Sequence, residues 1–192
     1  MKSRALDLYC NCSLNLPAAR GLSERLRWKS LLLVRPVILV VLFHERMEMI
    51  RAYVDTDWEQ VREIYDLSKP DELKNIVDAD TITPLSKDDQ MLPYFNESEI
   101  MVYEEEVNIL GFIGRKGNVV SWLFVHPDHR RKGIGRRLLK DLIRTWKGPL
   151  RLNLAKSNQV AMTLYTSLGF EVFEEFEGNM YGKRIPSVRM RL

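Results

Sequence analysis

The stretch that decides the fold is Trp122–Leu142, which reads WLFVHPDHRRKGIGRRLLKDL. It opens with the apolar residues 122–125, whose length and composition are those of a buried strand. Pro127 ends that strand, and from Ile134 onward apolar residues recur at helical spacing. The sequence therefore predicts a strand, a short basic loop with two glycines, and an amphipathic helix.

The loop between this strand and helix favours a phosphate ligand. The first N–H groups of a helix lack partners, and the positive end of the helix dipole attracts anions. The spacing excludes two common nucleotide motifs, because a P-loop requires Gly-Lys-Ser/Thr where Gly135 is followed by Arg136. The dinucleotide fingerprint requires a glycine at Leu138. A solvated basic loop or a nucleic-acid patch is the alternative interpretation of HRRKGIGRR.

Two motifs in this chain resemble one known family. The first is Arg130-x-x-Gly133-x-Gly135, which resembles the coenzyme A loop of the GCN5-related N-acetyltransferases (GNAT), with its Gln/Arg-x-x-Gly-x-Gly/Ala signature. The second starts at Asn158 and ends at Gly169-Phe170, and it is similar to the family's Asn-x-x-Ala-x-x-x-Tyr-x-x-x-Gly-Phe run. Two independent motifs in the family's order outweigh the nucleic-acid interpretation.

The resemblance extends from Met49 to the C-terminus and implies a fold. The predicted element order is strand, two helices, three strands, helix, strand, helix, two strands. This is an α+β layout with α/β/α layers around a mixed, largely antiparallel central sheet, as in the GNAT acetyltransferase fold. Within it, the second helix is expected at 71–77, and the last two strands at 170–176 and 188–192.

The resemblance also implies a reaction. Members of the family transfer an acetyl group from acetyl-CoA to an amine by direct attack on the thioester, without a metal. We therefore expect an N-acetyltransferase with acetyl-CoA as co-substrate, acting on a small molecule or a protein. Two alternatives stay open, a non-catalytic acyl-CoA-binding sensor or scaffold and, with less support, a nucleic-acid-binding module. The acceptor is not identified, and the protein is expected to be a monomer or a homodimer.

By the same resemblance, the backbone of the strand would hold pantetheine and the acetyl group, and the loop amides would hold the pyrophosphate. The residues expected to bind the cofactor are Leu123, Phe124, Val125, Arg130, Arg131, Lys132, Gly133, Ile134, Gly135, Arg136 and Asn158. Tyr165 matches the family's general acid, although its position on the apolar helix face also suits a packing role. Asn158 also suits helix capping.

The general base is not identified by the motifs. Some family members carry a glutamate five residues before the asparagine, and this chain has Asn153 there. Proton removal by water ordered by Asn153, or by Glu104 or Asp89, stays open. The acids between 78 and 89 suit a solvated face or the attraction of a cationic amine. His126 and His129 flank a variable part of the motif, so neither a catalytic nor a metal role is expected.

Residues 1–48 differ in composition from the rest of the chain. They carry eight Lys or Arg and four Asp or Glu, a net charge of +4, whereas the whole chain has +3, so residues 49–192 carry −1. The basic character thus belongs to the first segment, which weakens a nucleic-acid role for the main body. We expect two parts, an N-terminal extension at 1–48 and a GNAT domain at 49–192. The extension is interpreted as a mis-called start before Met47 or Met49, or as a basic arm.

The sequence gives no support for a membrane or disulfide-stabilised protein. The apolar run Leu31–Phe43 has thirteen residues and contains Arg35 and Pro36, whereas a spanning helix needs about twenty. No small-residue cleavage site follows the run. The cysteines, Cys10 and Cys12, have no partners elsewhere in the chain, which predicts neither a disulfide framework nor a four-ligand zinc site. A cytoplasmic location is expected.

Overall fold

The computed structural model describes residues 47–73 and 76–192. Seven strands form one sheet in the order β1-β2-β3-β4-β5-β7-β6. The strands are β1 (Glu48–Ala52), β2 (Glu99–Glu105), β3 (Asn108–Lys116), β4 (Val119–Val125), β5 (Arg151–Ala155), β6 (Glu171–Met180) and β7 (Lys183–Arg191). The α-helices are α1 (Trp58–Glu72), α2 (Met91–Asn96), α3 (Ile134–Thr145) and α4 (Gln159–Thr166). All neighbouring strands are antiparallel except β4 and β5, so the predicted mixed, largely antiparallel sheet is confirmed.

Helices cover both faces of the sheet, as the predicted α/β/α layers require. On one face, Ile64 of α1 packs in a cluster with Phe112 and Trp122 of the sheet. On the other face, Leu138 of α3 packs in a cluster with Leu152 of β5. Successive side chains of a strand point to opposite faces, so a strand between two such layers is apolar along its whole length. This explains the continuous apolar run in β4.

The first helix is longer than the sequence predicts, and the expected second helix at 71–77 is wrong. Proline removes a helical N–H donor and commonly occupies the first turn of a helix, which is why Pro70 was interpreted as a start. The structure places Pro70 in the last turn of α1 instead. The buried stripe of α1 continues through Tyr65 and Lys69, so packing against the sheet maintains the helix across the proline. The second helix is α2, which starts only at Met91.

The terminal hairpin is also longer than predicted. Its strands meet at a two-residue turn, Tyr181-Gly182, in which both residues have positive φ (49° and 76°). The Asn179 carboxamide accepts a hydrogen bond from the Gly182 N–H at 3.1 Å. Positive φ at both central residues is the geometry that matches strand twist. Gly178 and Pro186 obscure the strand pattern in the sequence because each is disfavoured within strands.

The sheet divides between β4 and β5. These two strands share one register pair, Val119 with Arg151, and the Arg151 N–H donates to the Asn118 carbonyl at 2.9 Å. Beyond that position the described residues show no further ladder pair between them. The two parts of the sheet therefore separate towards the carboxyl end of β4, where the glycine loop and α3 begin.

Candidate active site

The carboxyl end of β4 has a backbone edge without a strand partner among the described residues. The His126 N–H donates to the Leu110 carbonyl at 2.9 Å, and the register pairs Phe112 with Phe124. In an antiparallel ladder the hydrogen-bonding groups alternate in direction, so those of Leu123 and Val125 point away from β3. They face the gap between β4 and β5, where the two strands have separated. An exposed row of this kind binds an extended ligand that carries amide groups.

The loop after β4 presents a second row of donors. Among the described residues, no backbone partner is found for the six consecutive N–H groups of residues 131–136. Just before this run, the N–H groups of His129 and Arg130 donate to the carbonyls of His126 and Pro127. The first helical bond of α3 runs from the Arg137 N–H to the Gly133 carbonyl at 3.0 Å. Six free amides at a helix start form a strong anion-binding site.

The backbone conformation of the loop points these N–H groups in a common direction. Arg131 has φ 63°, and Gly133 caps α3 with φ 84° and ψ 2°. Left-handed residues in such a run turn successive N–H groups towards one concave point, which binds anions. Gly135 follows in the first turn of α3, and a Cβ added there would lie 3.6 Å from Val125 Cγ2 and 3.7 Å from Leu164 Cδ2. The loop therefore lies directly against the open edge of β4.

Two of the basic side chains predicted to bind the cofactor make contacts within the protein. Arg130 Nε donates to the Val125 carbonyl at 3.3 Å, and its guanidinium forms an ion pair with Asp71 of α1. Arg136 Nη2 donates to Ser167 Oγ at 2.8 Å, which connects α3 to the end of α4. Both arginines thus stabilise the walls of the site.

Two neighbouring cations are available to a phosphate. Arg131 and Lys132 are exposed, and Arg131 forms no hydrogen bond or ion pair with any described residue. The one described contact of the Lys132 ammonium is the His129 ring, 3.4 Å from Nδ1. These are the loop side chains best placed for the outer phosphates of an anionic ligand.

Asn158 caps the helix on the β5 side of the opening. Its carboxamide oxygen accepts a hydrogen bond from the Ala161 N–H at 3.1 Å, and its own N–H donates to the Ala155 carbonyl at 2.9 Å. The capping role that the sequence suggested is therefore present. The carboxamide nitrogen donates to no described residue, which leaves a donor for a ligand.

Tyr165 lies in the core on the α4 side of the opening. The residue is 7% exposed, and its ring packs edge-on against Phe170 at 5.5 Å between centroids. Burial raises the pKa of its phenol well above the usual value, and the negative charge of Glu72 adds to that effect. The hydroxyl has no hydrogen-bond partner among the described residues. Tyr165 thus packs in the core and also keeps a protonated donor available.

The two loop histidines lie away from this opening. Their ring centroids are 5.6 Å apart, and His126 Nδ1 accepts a hydrogen bond from the Asp128 N–H at 3.3 Å. Both line a cavity of about 540 Å³ beside the β2–β3 turn, together with Lys132. Apart from Lys132, this cavity involves none of the predicted site residues, so we place the candidate site at the β4–β5 opening.

Sequence reasoning missed the part of the site that α1 provides. Ser68 Oγ donates to the Val125 carbonyl at 3.1 Å, and a Lys69–Glu72 ion pair follows in the same helix turn (2.9 Å). The proline at position 70 obscured these residues because it suggested a helix break. Their spacing of three along a helix was the signal that could have revealed the ion pair.

Comparison with known proteins identifies related sequences and folds. Residues 96–172 match the family model described as Acetyltransferase (GNAT) domain. The chain is 33% identical over 87 residues to the L-amino acid N-acyltransferase MnaT of Escherichia coli (strain K12), a match that covers 42% of this chain and 51% of that protein. It is 33% identical over 102 residues to human Cysteine-rich protein 2-binding protein, covering 50% of this chain and 13% of that protein. The chain thus spans at most about half the length of these relatives.

A solved structure has the same architecture. The structure of yncA from Salmonella typhimurium, with its cofactor acetyl-CoA, has a TM-score of 0.57 and 25% sequence identity. The alignment covers 76% of this chain and 92% of that one. Among the residues described in our structure, no helix has both the length and the apolar character needed to span a membrane.

Proposed function

We propose that this chain is a GNAT acetyltransferase and that it transfers an acetyl group from acetyl-CoA to an amine. The run of six free amides at 131–136, next to the open edge of β4, carries this proposal. A phosphate-binding loop that continues into an unpaired strand edge suits a ligand with a pyrophosphate at one end and an amide chain behind it.

The relatives support the same ligand and the same reaction class. The yncA structure was solved with acetyl-CoA, and MnaT is named as an N-acyltransferase of L-amino acids. We propose that residues 131–136 bind the pyrophosphate through their N–H groups and that Arg131 and Lys132 contact the outer phosphate. The pantetheine arm lies along Leu123 and Val125, and Asn158 supplies a further donor from the opposite side.

The chemistry that follows requires three groups around the thioester. An N–H of the open edge at Leu123 or Val125 donates to the carbonyl oxygen as negative charge develops there. Tyr165 protonates the departing thiolate, and its raised pKa keeps the phenol protonated at neutral pH. The third group removes a proton from the acceptor, because a primary amine with a pKa of about 10 is protonated at pH 7.

Thiol release with a panel of amines tests the proposal. The panel contains an L-amino acid, a peptide with a free N-terminus, a lysine peptide and spermidine. We expect acetyl-CoA to raise the melting temperature and at least one amine to release coenzyme A and gain an acetyl group, detected by mass spectrometry. Stabilisation by acetyl-CoA without transfer to any amine would favour the non-catalytic acyl-CoA sensor. Absence of both would contradict the proposal. The cytoplasmic location, the oligomeric state and the extension at 1–48 stay predictions.

A further inference from the structure

The last turn of α1 lies directly beside the open edge of β4. Ser68 Oγ and Arg130 Nε both donate to the Val125 carbonyl, at 3.1 and 3.3 Å. The Lys69 ammonium lies 5.9 Å from the centroid of the Phe124 ring. These contacts fix the end of α1 against the strand segment that the proposed function assigns to the thioester.

That turn contains an ion pair with one buried and one accessible member. Lys69 is 5% exposed, and its ammonium lies 2.9 Å from Glu72 Oε2 and 5.8 Å from the centroid of the Tyr65 ring. The side chain of Glu72 is 26% exposed. A buried ammonium requires a close carboxylate, so Lys69 holds Glu72 in position while the carboxylate stays accessible to a ligand.

A buried tyrosine of the same helix adds a polar group without a partner. The Tyr65 hydroxyl is fully buried and has no hydrogen-bond partner among the described residues. Burial raises the pKa of Tyr65, Tyr165 and Tyr181, and the negative charge of Glu72 adds to the effect on each of them, as that of Asp88 does for Tyr65 and Tyr181. The end of α1 therefore combines an accessible carboxylate with a neutral hydroxyl group.

We propose that this end is the acceptor site and that Glu72 is the general base, receiving a primary ammonium group and taking one of its protons. The inference rests on the proposed function. The site places the base on the α1 side of the open β4 edge and the acid, Tyr165, on the α4 side, with the thioester between them. The acceptor it fits is a protonated primary amine, because a carboxylate together with neutral hydroxyl groups favours a cation with several N–H donors.

The proton balance is complete without another reactant. Glu72 takes one proton from the ammonium group, and the neutral amine forms a C–N bond with the thioester carbonyl carbon. The C–S bond then breaks, and Tyr165 gives its proton to the thiolate. The nitrogen releases its second proton to solvent as the amide forms, Glu72 returns its proton to solvent, and Tyr165 recovers one proton from solvent. Overall, the amine loses two protons, of which one is balanced by the thiol and one is released.

Glu104, which the sequence left open as a base, and two further acids have different partners. Glu104 forms an ion pair with Arg51, and β3 separates its strand from β4. Asp88 accepts hydrogen bonds from two N–H groups at the start of α2. Asp71 is paired with Arg130. Glu72 differs from these acids in its partner, the buried Lys69, whose ammonium lies 5.9 Å from the centroid of the Phe124 ring in β4.

Glu72→Gln tests the inference, with Glu63→Gln as the matched control on an exposed position of the same helix. We expect kcat/KM for the ammonium acceptor to fall about 10²-fold or more in Glu72→Gln and to change by less than about twofold in Glu63→Gln. Affinity for acetyl-CoA, measured by calorimetry, should be unchanged in both. The pH dependence of kcat/KM should lose its acidic limb in Glu72→Gln and keep it in Glu63→Gln.

Hydroxylamine separates base catalysis from packing, because it is largely unprotonated at pH 7. We expect Glu72→Gln to lose much less activity with hydroxylamine than with the ammonium acceptor, and an equal loss with both would overturn the base assignment. Lys69→Met/Glu72→Gln removes both charges and avoids an unpaired buried ammonium, so it keeps the test valid if the single variant unfolds. Wild-type activity equal to that of a folded Glu72→Gln would remove this inference alone. Wild type that transfers to no amine would remove the proposed function as well.

Discussion

The two ends of β4 have similar apolar residues and very different surroundings. At the amino end, Val119 pairs with Lys116 on one side and with Arg151 on the other. Trp122 follows, with 1% exposure and an indole N–H bonded to Ser98 Oγ at 3.0 Å. At the carboxyl end, the groups of Leu123 and Val125 that face β5 have no ladder partner among the described residues.

The contrast shows how one strand can be fixed at its amino end and still offer free backbone donors at its carboxyl end. The paired end fixes the position and direction of the strand, so the donors at the open end are held in place before a ligand arrives. Preorganised donors stabilise developing charge without the cost of reorientation. A substitution at the paired end should therefore change the free energy of unfolding. A substitution at the open end should instead change ligand binding or turnover.

The largest expected effect is at the open end, from Gly135→Glu. The Cβ has room beside Val125 and Leu164, at 3.6 and 3.7 Å, and an acidic residue suits a helix start, so the fold should be retained. The carboxylate would repel the pyrophosphate by about 4 kcal/mol, which corresponds to about 10³-fold in Kd. Calorimetry with acetyl-CoA measures this, and unchanged affinity in a folded variant would mean that the loop has another role.

The second effect concerns turnover at the same end. Tyr165→Phe should lower kcat about 10²-fold while leaving the Kd of acetyl-CoA nearly unchanged, because a thiolate can depart slowly without an acid. Because the pKa of the Tyr165 phenol is raised, its ionisation should not limit the rate near neutral pH. A normal kcat in this variant would leave Tyr165 with a packing role only.

A third prediction applies one substitution to both ends. In Gly114→Ala, the new Cβ would lie 2.7 Å from the Trp122 ring, and overpacking of this kind costs about 1–3 kcal/mol. In Gly135→Ala there is space, and alanine in a helix is favoured over glycine by up to about 1 kcal/mol. Thermal unfolding should therefore show a lower melting temperature for the first variant and an equal or higher one for the second. The same sign in both would contradict the contrast between the two ends.

The smallest effect should come from Gly133→Ala. The position has φ 84° and nothing within 4 Å of an added Cβ, so the cost comes from the backbone and not from a clash. A left-handed conformation costs a non-glycine residue about 1–2 kcal/mol. Urea unfolding should show a loss of this size, and affinity for acetyl-CoA should fall by less than in Gly135→Glu. No loss of stability would show that the loop adopts another conformation.

Local patterns were sufficient for most elements of the fold. The three strands β2, β3 and β4 were predicted in the element order, β4 from its apolar run and α3 from its stripe and its glycine start. Asn158 was correctly expected to cap α4. The errors, at Pro70 and in the terminal hairpin, occurred where local preference and tertiary pairing disagree. At Pro70 a buried stripe outweighed one missing hydrogen bond, and in the hairpin pairing outweighed Gly178 and Pro186.

Some features of the candidate site could also be predicted from local sequence, and others depended on tertiary contacts. The loop residues could be identified from spacing, since their backbone groups act locally and the glycines mark the turn. Sequence alone did not reveal that Arg130 and Arg136 have protein partners, Asp71 and Ser167, that are distant along the chain. Nor did it reveal Glu72, whose position depends on how α1 packs against β4.

The sequence by itself predicted the family resemblance, the order of most elements and the basic glycine loop, because each depends on residues close together in the chain. The tertiary structure decided which side chains face the opening. It placed Ser68 and Lys69 of α1 against the carboxyl end of β4. The physical reason is the divergence of β4 and β5 after a single pair, Val119 with Arg151. That divergence depends on the twist and packing of the whole sheet and not on any local pattern.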